Sequence, residues 1–327
     1  MDKIIFRADA GQNIGYGHFI RSLALADMLK NDFDVAFATV NPTEYQITEM
    51  AKVCRSINLD RETHLADFLS LLKGNEIVVL DNYFFTTNYQ RAIKDKGCIL
   101  VCVDPLHDKH FVADLIIVQG NVSQSLYSTE SYTRFCIGYD WLLLRQPFIE
   151  AFEKNIHRKY SSLFHKVTVG FGGTDMYNLT EKTLQVLLNQ KCIQTIDIIA
   201  GDASQKINHF ISSKEIHFHR NISASQIAQL FSSCDLAILP TSTICLEALV
   251  CRTKIAAGFY VDNQAEFYQY ALKTNLIYGM GNFLHESYFS KLNQLFCATP
   301  LTGLSLFSAR LSDLKERYIS VFKILKL

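Results

Sequence analysis

The chain has 327 residues, 49% hydrophobic and 20% charged, which is enough apolar material for two cores and too much for a disordered chain. Lys and Arg together number 32, as do Asp and Glu, so no net field draws the chain to nucleic acid or an anionic membrane. No apolar run spans a bilayer, no charged-then-apolar leader opens the chain, and nine scattered cysteines lack any Cys-x-x-Cys spacing; the expectation is a cytoplasmic protein with buried free thiols and no membrane insertion.

The first predicted strand is Lys3–Ala8. A loop with Gly11, Gly15 and Gly17 follows, and then a helical pattern with Ile20, Leu23, Ala24 and Leu25 apolar. Strand, glycine loop and helix expose backbone N–H groups to a ligand. The same geometry sets His18 at the helix start, where a neutral imidazole takes a proton from water or a hydroxyl near neutral pH. The spacing is not Gly-x-Gly-x-x-Gly, since Ile20 stands where the third glycine belongs, and it is not a P-loop. A plain tight turn with His18 capping the helix is the competing reading.

Further strands are predicted at Val35–Thr39, Glu76–Asp81, Cys98–Asp104, Leu115–Gln119 and Thr133–Ile137, with helices at Thr43–Lys52 and Asn88–Asp95. Asp81 and Tyr83 end a very apolar strand and direct a carboxylate and a phenol toward the crevice of His18; alternatively, Asp81 caps the following turn. A polar, irregular stretch is expected from about 146 to 164.

The pattern then restarts. Strands are predicted at Lys166–Phe171, Gln194–Ala200, Glu215–His219, Leu236–Leu239 and Lys254–Gly258. Helices are predicted at Asn178–Asn189, Ser223–Ser233, Thr243–Val250 and Glu266–Thr274, and the last twenty residues form an amphipathic helix with Leu314, Tyr318, Val321 and Phe322 on one side. Gly172, Gly173 and Thr174 follow the first of these strands, where paired glycines allow close approach to a diphosphate and Thr174 donates a hydroxyl; a plain βα turn is the alternative. Ser242 and Thr243 open a helix and suit phosphate oxygens, with Glu247 one turn in for a ribose diol; alternatively, one of the pair is an N-cap and Glu247 a helix-favouring carboxylate. Asn263 and Gln264 end the next strand and offer amides to a nucleotide or sugar.

Strands interleaved with helices predict an α/β chain of two Rossmann-like, doubly wound domains, 1–148 and 149–327, the second including the C-terminal helix. Ligands of such sheets bind at strand C-termini, and the crevice between the domains is the expected site.

Phe6-Arg7-Ala8-Asp9, Ile14-Gly15-Tyr16-Gly17-His18-Phe19-Ile20-Arg21, Asp81-Asn82-Tyr83, the segment from Tyr139 to Arg145, Gly172-Gly173-Thr174-Asp175, the helix start at Ser242 and Asn263-Gln264 occur in this order along nearly the whole chain. Together they resemble the UDP-2,4-diacetamido-2,4,6-trideoxy-β-L-altropyranose hydrolase family of pseudaminic acid biosynthesis. The later motifs are shared with GT-B glycosyltransferases of the MurG type. The resemblance implies a GT-B fold with two Rossmann-like domains facing a cleft and UDP held mainly by the C-terminal one. It also implies hydrolysis of a UDP-linked 2,4-diacetamido-2,4,6-trideoxyhexose by inverting attack of water at the anomeric carbon, without metal or cofactor. By resemblance His18 is the catalytic histidine, Tyr83 lies near the sugar, and Asp9 holds either the sugar or His18. Glu247 binds the ribose, and Gly173 and Thr174 with the Ser242–Thr243 helix start bind the diphosphate; Gly15, Gly17, Arg21, Asp81, Gly172, Asn263 and Gln264 complete the substrate-binding set. Pro240-Thr241 and Phe171 depart from the family pattern, where smaller residues are expected. An inverting GT-B glycosyltransferase, with an acceptor hydroxyl in place of water, and a non-catalytic sugar-nucleotide-binding protein are the alternatives.

Overall fold

The central strands of both halves are mostly apolar and buried because helices cover both faces of their sheets. The computed structural model describes residues 1–11, 14–161, 163–172, 175–201, 212–297 and 307–326. It divides into two compact units: Met1–Arg145 with Ala309–Leu327, and Gln146–Ser308.

The first unit runs β1 (Lys3–Arg7), α1 (Gly17–Leu29), β2 (Asp34–Val40), α2 (Glu44–Ala51), β3 (Arg55–Leu59), α3 (His64–Leu71), β4 (Ile77–Leu80), α4 (Thr87–Asp95), β5 (Ile99–Val103), β6 (His110–Phe111), β7 (Leu115–Val118), β8 (Ser128–Thr129) and β9 (Arg134–Ile137). Seven strands form a parallel sheet in the order β3-β2-β1-β4-β5-β7-β9, while β6 and β8 pair separately. Ile4, Ile5, Phe6 and the whole of β4 are buried in it.

The second unit runs α5 (Gln146–Lys154), β10 (Lys166–Val169), α6 (Leu179–Leu188), β11 (Thr195–Ala200), β12 (Glu215–Arg220), α7 (Ala224–Ser233), β13 (Leu236–Pro240), α8 (Thr243–Val250), β14 (Ile255–Phe259), α9 (Ala265–Lys273), β15 (Tyr278–Asn282) and α10 (Ser287–Cys297). Its sheet is parallel, in the order β12-β11-β10-β13-β14-β15.

Three features depart from the sequence expectation. The segment after Arg145 begins with a helix, α5, rather than an irregular stretch, because Pro147 in a first helical turn costs no internal hydrogen bond. Strands β3 and β15 and helices α3 and α10 carry no clean apolar pattern and go unpredicted. The C-terminal helix α11 (Leu314–Ile324) packs on the first unit, not on the second. Its buried Leu314, Tyr318 and Phe322 are the apolar side read from the sequence; Phe322 meets Phe33 edge-on at 6.3 Å, and the Tyr318 hydroxyl donates to the Trp141 carbonyl at 2.6 Å. Periodicity identifies the face of a helix that is buried but not the sheet that buries it.

The nine cysteines are free thiols, as composition predicts, and six are buried. Among the described residues no helix is long and apolar enough to cross a membrane. In each sheet the strand order reverses once near the middle, between β1 and β4 and between β10 and β13. Ligands of open α/β sheets bind outside the carboxyl ends of strands at such a point, so four loops matter, two in each unit.

Candidate active site

In the first unit these loops follow β1 and β4. The first is pinched by a two-residue bridge, in which the Gly15 amide donates to the Gly11 carbonyl at 2.8 Å, and Gly15 takes φ +77°, which favours glycine. Gly17 is the first residue of α1 and His18 the second. Tyr16, at the N-cap, makes no side-chain cap.

One turn of α1 aims His18, Arg21 and Ser22 at the residue that ends β4. His18 Nδ1 lies 2.7 Å from Asp81 Oδ1, Arg21 Nε donates to Oδ2 at 2.7 Å, and Ser22 Oγ donates to Oδ2 at 2.8 Å. A second Arg21 nitrogen donates to Oδ1. Asp81 has no exposed surface. Burial alone would push its carboxyl up, but the Arg21 and His18 charges and hydrogen bonds outweigh this and hold it at about 2. An ionised carboxylate only accepts, so the His18 proton sits on Nδ1 and Nε2 presents a lone pair. Among the described residues Nε2 has no hydrogen-bond partner. The Tyr83 ring stands edge-on to the imidazole at 4.6 Å, and burial pushes its phenol up against the opposing pull of Arg21.

Asp9 is in a different network. Arg7, fully buried at the end of β1, grips it with two nitrogens at 2.5 and 2.8 Å. The Val40 amide and the Thr39 hydroxyl also donate to Asp9 Oδ1, at 2.8 and 3.3 Å, and the Asp9 amide donates to Asn82 Oδ1 at 2.7 Å. Arg7 further donates to His64 Nδ1 at 2.8 Å, and burial together with that cation lowers the His64 pKa. Of the two roles expected for Asp9, holding the sugar or holding His18, the second falls to Asp81 instead. Asp81, with no exposed surface, holds His18 and Arg21. Ser22 and His64 were not singled out from the sequence, and Arg7 and Asn82 stood only within the motifs that carry the resemblance, with no role given to them. A charged Arg7 within an apolar strand was the one local signal, whereas His64 lies 57 positions away.

In the second unit the loops follow β10 and β13. Gly172 takes φ +85°, while Gly173 and Thr174 lie outside the described residues. Phe171, bulkier than the family pattern, is a core residue packed edge-on against Phe283 at 5.0 Å. Asp175 accepts from the amides of Leu179 and Thr180 at 2.8 and 2.9 Å, so the start of α6 is occupied by its own chain. The start of α8 differs, because Ser242 sits at the N-cap with no capping side-chain bond. The Ser242 and Cys245 amides already donate to the Pro240 and Ser242 carbonyls at 2.8 and 3.0 Å, which leaves the amides of Thr243 and Ile244 to face an anion, with the helix dipole behind them. Thr243 is half-buried, and Glu247, further along α8, is 3% exposed. Thr241, beside the departing Pro240, shares its one hydroxyl proton between the carbonyls of Gly258 and Gln264, at 3.1 and 3.0 Å, and so ties two loops. Gln264 is buried and accepts from the Tyr260 amide at 3.1 Å, leaving exposed Asn263 as the accessible amide of that turn. A cavity of 590 Å³ lined by Leu188, Lys191, Gln194 and Glu215 lies at the amino ends of β11 and β12, the end that ligands of such sheets do not use.

Two doubly wound parallel sheets, each with its loops at a switch point, define a protein of GT-B fold. Solved structures bear this out at low identity: Arabidopsis thaliana UGT89C1 complexed with UDP (TM-score 0.63, 12% identity, 98% of this chain and 93% of that one), the glycotransferase of kitacinnamycin (0.61, 11%, 99% and 95%) and the spinosyn forosaminyltransferase SpnP (0.58, 11%, 100% of each). The resemblance read from the motifs holds along most of the chain: it is 26% identical over 273 residues, 80% of its length, to the UDP-2,4-diacetamido-2,4,6-trideoxy-β-L-altropyranose hydrolase of Campylobacter jejuni, covering 93% of that protein. It is also 23% identical over 285 residues to an uncharacterised protein of Methanocaldococcus jannaschii, spanning 83% of this chain and 58% of that one. No protein-family model matches the sequence.

Proposed function

We propose that this chain is a cytoplasmic hydrolase that releases UDP and a free sugar from a UDP-linked 2,4-diacetamido-2,4,6-trideoxyhexose, in pseudaminic acid biosynthesis. The observation that carries this reading is the His18–Asp81 pair: an imidazole whose Nδ1–H is fixed on a buried carboxylate, leaving Nε2 to accept a proton. Water attacks the anomeric carbon and passes a proton to Nε2; the carbon–oxygen bond to UDP breaks, its electron pair leaves with the diphosphate, and the configuration inverts. Asp81, kept ionised by Arg21, stabilises the imidazolium that forms. Tyr83 flanks the imidazole as the sugar-side residue.

On this reading the nucleotide belongs to the second unit. The amides opening α8 face the diphosphate, which gains charge as it leaves, so they stabilise the transition state more than the ground state. Glu247 and Asn263 serve the nucleoside and sugar. No metal is required for this chemistry. Similarity to the Campylobacter jejuni hydrolase supports the choice of water as acceptor. A glycosyltransferase is the second reading. Exposed Ile14 and Phe84, on the two loops that carry His18 and Tyr83, offer an apolar acceptor a place to rest.

Incubation with UDP-2,4-diacetamido-2,4,6-trideoxy-β-L-altropyranose in excess EDTA, followed by proton NMR, tests the proposal. The expected result is free sugar appearing first in the inverted anomeric form. Intact substrate would sink the hydrolase, and transfer to an added acceptor faster than hydrolysis would select the second reading.

A further inference from the structure

β12 is an edge strand of the second unit, and His217 and His219, two residues apart on it, stand on one face. Asp197 on β11 is the register partner of His217 and shares that face, while its neighbours Ile196 and Ile198 turn to the core on the other. Asp197 is 2% exposed. Its Oδ1 lies 2.7 Å from His219 Nε2 and 3.3 Å from His217 Nδ1, and one ligating atom from each of the three residues falls within 4.8 Å of the others. Around a tetrahedral ion with bonds of about 2.0–2.1 Å, ligand atoms sit about 3.3 Å apart. The His217–Asp197 separation equals that value and the His219–Asp197 separation falls about 0.6 Å short of it, so a side-chain movement of well under 1 Å at His219 opens that pair to an ion.

We propose that Asp197, His217 and His219 bind a divalent transition cation of the zinc class, with water completing the shell. Two imidazoles and one carboxylate match that class, whereas calcium and magnesium favour all-oxygen shells. The consequence is structural. Glu215, His217, Phe218 and Arg220 of β12 are exposed, so few side chains anchor this strand, and the ion bolts it to β11. The site lies on strand faces rather than on the switch-point loops, and it does not rest on the nucleotide-sugar reading.

Lys166 supplies a distinctive sign. Its Nζ lies 3.3 Å from Asp197 Oδ2 and repels an incoming cation. Removing that charge strengthens ion binding, whereas in a merely ion-paired cluster it has no such effect.

The full chain, stripped with chelator and dialysed, is titrated with Zn²⁺ by calorimetry and with Co²⁺ by visible absorption, as wild type, His217→Ala, His219→Ala and Lys166→Met. The expectation is one high-affinity Zn²⁺ per chain, Co²⁺ ligand-field bands and a raised thermal midpoint with Zn²⁺. Affinity should fall at least about tenfold in either histidine variant and rise several-fold in Lys166→Met. His217 is exposed, so its variant folds even if His219→Ala does not. Absence of binding, or wild-type affinity in both histidine variants, as binding through cysteines would give, overturns the proposal.

Discussion

Asp81 is shared among an imidazole, a guanidinium and a hydroxyl and has no exposed surface. Its folded pKa of about 2 lies below the ordinary carboxyl value near 4. The charge therefore stabilises the fold in full above about pH 4, and this contribution is lost as pH falls through the folded value. Asp81→Asn, which leaves Arg21 buried without its counter-charge, should cost about 3–5 kcal/mol at neutral pH. The gap in thermal midpoint between wild type and this variant should narrow between pH 6 and pH 2.5; a gap constant with pH would refute the assigned electrostatics. His18, Asp81 and Tyr83 were legible in the sequence as candidates because each stands just past a buried apolar strand, His18 behind a glycine loop and the other two directly at the strand end. The exchange of partners, with Asp9 on Arg7 and His18 on Asp81, was not, because pairing depends on which strand-end side chains turn inward together.

The central strands were legible from their buried apolar residues, and the edge strands β9 and β12 were read as well, although β12 is mostly exposed. β1, β4, β10 and β13 lie at the sheet centres and are mostly apolar, although Thr168 interrupts β10 and Arg7 ends β1. β3 and β15 lie at edges, and β15, Tyr-Gly-Met-Gly-Asn, has the composition of a turn. Its pairing with β14 still depends on small residues. A Cβ at Gly258 would stand 2.3 Å from the Gly281 carbonyl oxygen and 3.0 Å from Phe283 Cζ. Gly258→Ala should thus destabilise the second unit by about 2–3 kcal/mol in urea titrations, and an unchanged midpoint would count against this packing. Thr241→Val removes the one hydroxyl proton shared between the carbonyls of two neighbouring loops and should cost about 1–3 kcal/mol. The same titration checks it.

At the scale of the whole chain, the first unit is closed by its last residues. Phe322 is fully buried against the first unit, and Lys323 pairs with Asp32 at 2.7 Å. Phe322→Ala should cost about 3–5 kcal/mol. In hydrogen exchange the loss of protection should fall on β1, β2 and α1 and leave β10 to β14 unchanged; loss confined to the second unit would contradict the assignment of α11. The twofold α/β pattern was legible from alternating periods, but the return of the chain to its first unit was not, since local sequence records a helix face and not its distant partner. The central claim is that an imidazole fixed by Asp81 draws the proton from the attacking water. Its most direct test is the rate of UDP release from UDP-2,4-diacetamido-2,4,6-trideoxy-β-L-altropyranose by His18→Ala beside wild type. A loss of about 10²–10⁴ in kcat, with the fold intact, is predicted; a rate within a few-fold of wild type would contradict it.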